Sequence, residues 1–227
     1  MNMLLRRRLM MDEVGGSPTP PPTPQPVFYD RLVFDGTAWI HTDLFIPTDG
    51  SIAFAGVGYE AQKVGQHILK LTSGTGAMRT AFYETGNTSN TYRVLAWRYA
   101  DSSNQRTYNT TWSGSPAVNL WMTPFLAGAG NSSAAITAGS DYPVNSMDIG
   151  GPSTSSSQIC FTGRAGILRI FDDTAKNAAN WSELIAFTPV YTLKPCTYLG
   201  EAGLWCVETS TFYGNSAGAG QLSVMNN

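Results

Sequence analysis

The chain has 227 residues, of which 13% are charged and 42% hydrophobic, and its formal net charge is −2. Charged residues normally make up about a quarter of a soluble domain. A long helical bundle, which solvates its outer faces with Glu and Lys, is therefore excluded: Lys occurs four times and Glu six. The weak negative balance disfavours binding to nucleic acid by broad phosphate neutralisation, and no apolar run approaches the roughly 20 residues of a membrane span.

The N-terminus reads MNMLLRRRLMM, three arginines in a Met/Leu setting. A secretory signal places its charges first and follows them with an apolar stretch of about 7–15 residues. Here only Leu9, Met10 and Met11 follow Arg8 before Asp12 and Glu13, so no signal peptide is expected. Residues 15–26 read GGSPTPPPTPQP and hold six of the 13 prolines. Proline fixes φ and lacks an N–H, so this stretch favours an extended polyproline conformation with no core of its own. The organisation expected is an arginine-containing arm over residues 1–14, a Pro-rich linker over 15–26 and a globular body over 27–227. The arm has no means of folding alone and is expected to seat on another chain through Leu4, Leu5, Arg6, Arg7, Arg8 and Leu9: arginine pairs bidentately with carboxylates, and Met and Leu adapt to an apolar groove.

From Val27 onward, short segments rich in branched and aromatic side chains alternate with turn signals. They are RLVFDG, SIAFAGVGY, HILKLTS, TAFYETG, YRVLAWRY and RTYNTTWSG. Gly74, Gly76, Gly86, Gly114, Gly128 and Gly130 fall between runs, where positive φ is expected. Residues 175–186, AKNAANWSELIA, form the single helical candidate, with Asp172 or Asp173 as its cap. Short, regularly spaced strands with one small helix predict an all-β, two-sheet antiparallel sandwich.

Cys160, Cys196 and Cys206 are an odd count, which argues against a disulfide-stapled module. Cys196 and Cys206 could face each other across a hairpin or be small buried hydrophobes. Only His41 and His67 are available and neither lies near a cysteine, so no metal or cofactor is expected.

The segment MDIGGPSTSSSQICFTGRAGILRIFD, residues 147–172, resembles the late hairpin of laminin-G and concanavalin A-like lectin/glucanase domains. The matching pieces are Ile149-Gly150-Gly151, Phe161-Thr162-Gly163, and Ile167, Leu168, Ile170 and Phe171 with Asp172. Gly150 and Gly151 allow a tight turn, and Gly163 a kink or bulge. The opening resembles the first strand of the same domains at Phe34-Asp35-Gly36, Trp39, Ile40 and Thr42. The end is similar to a terminal hairpin of gut bacteriophage and host proteins. Its counterparts here are Pro195-Cys196, Gly203-Leu204-Trp205-Cys206, Phe212-Tyr213-Gly214-Asn215 and Gly218-Ala219-Gly220. The resemblance implies a jelly-roll sandwich over about residues 28–224 in which the first and late strands are neighbours.

The glucanase branch of that fold carries E-x-D-x-x-E, whose carboxylates share one strand face for retaining hydrolysis. No such pattern occurs among Glu13, Glu60, Glu84, Glu183, Glu201 and Glu208. Asp172 and Asp173 are adjacent and suit a turn or helix cap. His41 and Asp43 are a same-face pair on a strand with no G-x-S-x-G nucleophile elbow to serve, and so are expected to be structural. The chain is not expected to be an enzyme. Sugar sites stack exposed aromatics on sugar faces, with amide and hydroxyl groups at the rim. Most of the six tryptophans must be core; Trp112, with Tyr108 and Asn109 nearby, is the candidate glycan platform.

Together these expectations describe a bacteriophage virion protein: a capsid decoration, head-fibre or tail-associated subunit assembled in the bacterial cytoplasm. Its arm would dock on other virion proteins, and its lectin-like body would project and adhere weakly to cell-surface or mucus glycans, where many copies multiply a small affinity. A homo-oligomer, with a trimer as the working stoichiometry, is expected. The alternatives are a bacterial surface carbohydrate-binding module and a divergent glycan-active enzyme.

Overall fold

The computed structural model describes residues 23–47, 49–59, 66–73, 78–87, 91–97, 105–111, 117–130, 132–135, 144–151 and 159–227. All six expected β segments are strands: Arg31–Asp35, Ser51–Tyr59, Gln66–Ser73, Met78–Asn87, Thr91–Trp97 and Gln105–Thr111. The strands form two sheets. The larger runs Ser132–Ala135, Leu126–Ala129, Val118–Met122, Ser51–Tyr59, Leu168–Phe171, Tyr191–Tyr198, Glu201–Cys206, Thr211–Tyr213. The smaller runs Ile40–Thr42, Val144–Ile149, Gln66–Ser73, Met78–Asn87, Thr91–Trp97, Gln105–Thr111. Pairing is antiparallel except that Ile159–Cys160 lies parallel to Gln66–Ser73.

Alternation builds the core between the sheets. Leu32, Phe34, Ile52, Phe54, Leu168 and Ile170 point inward from the larger sheet. They meet Ile40, Leu69, Leu71, Phe82, Met147 and Ile149 from the smaller one. Burial on this scale is the main favourable term in folding. The first and late strands are neighbours, as the resemblance implied: Arg31–Asp35 pairs with Thr162–Ala165 on one side and Leu222–Met225 on the other.

The chain passes between the layers repeatedly, and a polar or glycine device marks two of the corners. After Arg31–Asp35 it turns into Ile40–Thr42 of the other sheet. There the Asp35 carboxylate accepts from Thr37 N (2.8 Å), Thr37 Oγ1 (2.7 Å), Ala38 N (2.9 Å) and Gln221 N (2.6 Å). Partial burial pushes its pKa up, but these donors outweigh that and hold it at about 2. After Val144–Ile149 the second corner begins at Gly150, with φ +84°. A Cβ there would lie 2.3 Å from the Phe34 ring, so only glycine lets the core close over this turn.

Three expectations are corrected. Gly86 and Gly128 sit inside strands, and of the expected glycines on described residues only Gly130 has positive φ (56°); Gly74, Gly76 and Gly114 lie outside the described residues. Gly163 does not kink or bulge its strand, which stays in register from Thr162↔Asp35 to Ala165↔Leu32; it allows close backbone approach instead. The helix expected over residues 175–186 is two short pieces, a 3-10 turn at Asp173–Ala175 and an α-turn at Trp181–Leu184.

Asp172 caps the first piece as expected, accepting from Thr174 N at 3.0 Å. The second has its own capping box: Asn180 Oδ1 accepts from Glu183 N (3.0 Å), while Glu183 Oε2 accepts from Ala179 N (2.8 Å). Both pieces lie on the outer side of the larger sheet. Ala175, Ala178, Trp181 and Leu184 form a second apolar cluster there with Ala53, Trp121 and Phe171. The need to cover Trp121, which is fully buried, explains why the segment folds against the sheet rather than as one free helix.

Candidate functional site

The outer face of the smaller sheet carries a cross-strand row of ionisable side chains. Ile40–Thr42 presents Ile40 and Thr42 inward, which leaves His41 outward. In Val144–Ile149, Met147 and Ile149 face the core and Asp148 faces out; in Gln66–Ser73, Leu69 and Leu71 do so and Lys70 faces out. The register places Asp148 directly opposite both His41 and Lys70.

His41 joins the exposed end of this row to its buried centre. Its Nδ1 is 2.7 Å from Asp148 Oδ1, and its Nε2 is 3.1 Å from Asp43 Oδ1. The side chain of Asp148 is 2% exposed and that of Asp43 90%. A neutral imidazole has a single N–H, so only the imidazolium can donate to both carboxylates. Burial lowers the His41 pKa, but the bonds and charges of Asp148 and Asp43 outweigh it and raise it above 6.5. At the other end Lys70 is 1% exposed and its Nζ has no hydrogen-bond partner among the described residues. Desolvation lowers its pKa, and the Asp148 charge opposes this in part. His67, on the same strand, is pushed down to about 4 by burial and then by the Lys70 charge.

The C-terminal loop frames the exposed end. Ser216 N donates to Trp39 O (2.8 Å) and Ser216 Oγ accepts from His41 N (3.0 Å). The Trp39 ring stands edge-on to the His41 imidazole at 6.4 Å. The result is a half-exposed aromatic beside an imidazolium and an exposed carboxylate, a set able to hold a polar ligand by stacking and charge-assisted hydrogen bonds.

The two histidines titrate in opposite senses. His41 has a raised native pKa, so its stabilising contribution is complete below 6.5 and is lost as pH rises through that native value. His67 has a depressed one, so its contribution is complete above 6.5 and falls away as pH drops towards 4. Melting temperature measured from pH 4 to 9 should therefore lose its alkaline slope in His41→Gln and its slope between pH 6.5 and 4 in His67→Gln. The reverse assignment would refute the arrangement.

Of the residues expected to act, Tyr108 and Asn109 lie on Gln105–Thr111, pairing with Val94 and Arg93. That strand ends the order of the smaller sheet at one side, and the His41 strand ends it at the other, so the two candidates are not brought together. Trp112 and the arm residues Leu4, Leu5, Arg6, Arg7, Arg8 and Leu9 lie outside the described residues. His41 and Asp43 do pair, as expected, but Asp148 and Lys70 were missed. Their signal was a lone charge in each of two apolar strands, ILKL and MDIG. Among the tryptophans, Trp121 and Trp181 are buried, and Trp39 and Trp205 are half-buried.

None of the three cysteines is in a disulfide. Cys206 pairs with Leu193 and Cys196 with Gly203. Cys206 belongs to the core cluster, and Cys196, an odd number of residues from inward-facing Leu193, is on the other face. Burial pushes the Cys196 thiol up to about 11, as for an inert buried hydrophobe.

A second surface lies on the outside of the larger sheet. Val27–Phe28 pairs with Thr197 and Cys196, and Lys194 Nζ sits 5.6 Å from the Phe28 ring centroid. Tyr198 packs against Trp205 at 5.2 Å and Phe212 at 5.6 Å. Beside it, a polar cleft of about 390 Å³ is lined by Glu201, Asn215 and Gln221 among others. The Asn215 amide is committed to its own loop, donating to Ala219 O and Gly220 O.

No protein-family profile matches the sequence, and no curated protein matches it. Among solved structures the chain is similar to the native heptameric SAP-like pentraxin from Limulus polyphemus, at 11% identity and a TM-score of 0.47, over 80% of this chain and 97% of that one.

Proposed function

We propose that the chain is a non-enzymatic structural subunit of a bacteriophage virion, a capsid-decoration, head-fibre or tail-associated protein. In this reading residues 1–14 anchor it to neighbouring virion proteins, residues 15–26 space it from them, and the β-sandwich is displayed for weak adhesion to glycans. The observation that supports the reading is the separation of two surfaces. The Pro-rich segment joins the body at Val27–Phe28, on the larger sheet. The candidate adhesion strand, with Tyr108 and Asn109, belongs to the smaller sheet, as does Ile40–Thr42, the strand that carries His41 between Trp39 and Asp43. Anchoring and display thus use different layers of the sandwich, so a seated copy keeps its adhesive side free. The bacteriophage setting rests on the sequence resemblance of the terminal hairpin.

A variant lacking residues 1–26 is expected to fold, with a melting temperature within about 3 °C of the full chain, and to be missing from purified particles. Incorporation at the full copy number refutes the anchoring. On a glycan array, multivalent full chain is expected to bind weakly, with loss of binding in Trp112→Ala. Release of reducing sugar by the purified chain would overturn the non-enzymatic reading.

A further inference from the structure

The exposed end of the His41 row has hydrogen-bonding capacity to spare. Trp39, His41 and Asp43 alternate along one extended segment, which puts their side chains on one side of it. Their contacts agree: the Trp39 ring lies 6.4 Å from the imidazole, and Asp43 Oδ1 lies 3.1 Å from His41 Nε2. The Asp43 side chain is 90% exposed, and the bond at Oδ1 leaves Oδ2 to accept another donor. Ser216 Oγ accepts from His41 N, and a hydroxyl that accepts still has its own hydrogen to donate. These groups are also held in place. A Cβ on Gly151 would lie 2.9 Å from Trp39 Cβ and 3.3 Å from its Cγ, so the root of the indole is seated on backbone. Ser216 is tied to the segment at Trp39 O and at His41 N. Both N–H groups of the His41 imidazolium are committed, one to Asp148 and one to Asp43, so His41 holds the carboxylate rather than offering a donor of its own. A preorganised set loses little freedom on binding.

Chemistry and spacing select the ligand. An indole beside a carboxylate and a hydroxyl fits a polyol with an apolar C–H face, which is a sugar. The most exposed charge of the set is the Asp43 carboxylate, which repels sialic acids, uronic acids and sulfate esters, so the sugar is neutral. Trp39 and Asp43 are four residues apart on extended backbone, about 13 Å at ~3.3 Å per residue. That exceeds one sugar ring and suits a disaccharide or a longer chain. We infer that Trp39, Asp43 and Ser216 form a subsite for a neutral glycan of two or more sugar rings, with His41 as the positioning residue for Asp43. The inference rests on the adhesion reading above and adds to it a subsite at the edge of the smaller sheet opposite Tyr108 and Asn109.

The positioning role makes binding depend on pH. The charged and titratable groups around His41 come from three elements besides its own segment, which supplies Asp43. Val144–Ile149 supplies Asp148, and Gln66–Ser73 supplies Lys70 behind it. Thr211–Tyr213 contacts the His41 strand and supplies Tyr213, which feels the Asp43 charge. When the imidazolium loses a proton, the single N–H that remains cannot serve both carboxylates. Asp148 is buried and has no water to replace its donor, so it keeps the N–H and exposed Asp43 is released. Binding should therefore weaken as pH rises through the native His41 value, which lies above 6.5.

The test measures binding of the full chain to polyacrylamide displaying lactose, maltose, cellobiose or chitobiose, with sialyllactose on the same polymer as the anionic comparator. Many copies of the sugar make a weak site readable. At pH 6 at least one neutral polymer should bind, and the sialyllactose polymer about tenfold more weakly. Trp39→Ala should reduce binding about tenfold or more, and Trp39→Phe, which keeps a stacking ring, much less. Asp43→Ala should reduce it about fivefold or more. Because that carboxylate is 90% exposed, the Asp43→Ala chain should melt within about 3 °C of the natural one, which separates lost contact from lost folding. Between pH 6 and 9 the natural chain should lose about threefold or more of its binding, and His41→Gln should show no such slope. Full binding by both Trp39→Ala and Asp43→Ala, with loss in Trp112→Ala, overturns this subsite and leaves the adhesion reading intact. Binding confined to acidic glycans does the same. A slope that persists in His41→Gln overturns the role given to His41. No binding to any of these polymers or to the glycan array sinks the adhesion reading and this subsite with it.

Discussion

Asp148→Asn is expected to destabilise the chain by about 3 kcal/mol, the low end of the cost of breaking a buried charge pair. Asp148 is 1% exposed and is the carboxylate between two cationic side chains, His41 in hydrogen-bond contact and Lys70 directly opposite. The amide oxygen of Asn can still accept from His41 Nδ1, so what is lost is charge rather than shape. Two consequences make the prediction specific. The His41 pKa should fall back from its raised value, read by imidazole NMR titration, because Asp148 is the stronger of the two carboxylate influences on it. The loss of stability should also shrink when Lys70 is first replaced by Met, since the substitution then no longer leaves a buried ammonium without its counter-charge. Lys70→Met alone is expected to be neutral or stabilising: the Nζ makes no hydrogen bond among the described residues, and replacing a buried charge by an apolar group of similar volume removes a desolvation penalty. Linkage has the same sign. A lysine with a lowered native pKa opposes folding increasingly as pH falls from 10.5 through its native value and fully below that, so its removal should help below pH 10.5 and most below the native pKa. A Lys70→Met variant much less stable than the natural chain would refute this account of the row.

The two-sheet architecture was legible because strand signals are local. Alternation in RLVFD buries Leu32 and Phe34 and turns Arg31, Val33 and Asp35 away from full burial, and each of the six segments chosen on that basis is a strand. The glycine motifs were legible as special positions, but what made them special was not. Gly150 answers to the Phe34 ring from a strand more than a hundred residues earlier, and Gly163 to a backbone oxygen of a paired strand. The helical reading of residues 175–186 failed for a related reason. Propensity favoured one helix, but Trp121 and Phe171 needed covering, and the segment broke into two turns with Asn180 capping the second. The row of His41, Asp148 and Lys70 was the least legible. Periodicity says which face of its own strand a residue occupies. It does not say that strands 107 residues apart in sequence will adjoin, which is what makes two lone charges into one group.

Gly163→Ala should be among the most damaging substitutions that add a single methyl group. The strand Thr162–Ala165 lies between Arg31–Asp35 and Ser51–Tyr59 and is hydrogen-bonded to both. A Cβ on Gly163 would lie 2.2 Å from Gly58 O and 2.6 Å from the Phe161 ring. The ring could yield by a rotamer change, but Phe161 is fully buried and packs at 5.6 Å from Phe34, so its movement would displace the core. The carbonyl cannot yield without separating two paired strands. The expected loss is about 3 kcal/mol, the upper part of the range for overpacking, or a fall of about 6–12 °C in melting temperature for a chain of this size. Gly200→Ala is the matched control: a Cβ there meets nothing within 4 Å, so it suffers only the strain of positive φ (86°). It should lose about 1 kcal/mol. If the two variants melt together, steric closure at Gly163 is not what holds Arg31–Asp35, Ser51–Tyr59 and Thr162–Ala165 in register, and the sandwich must owe its alignment to side-chain packing alone.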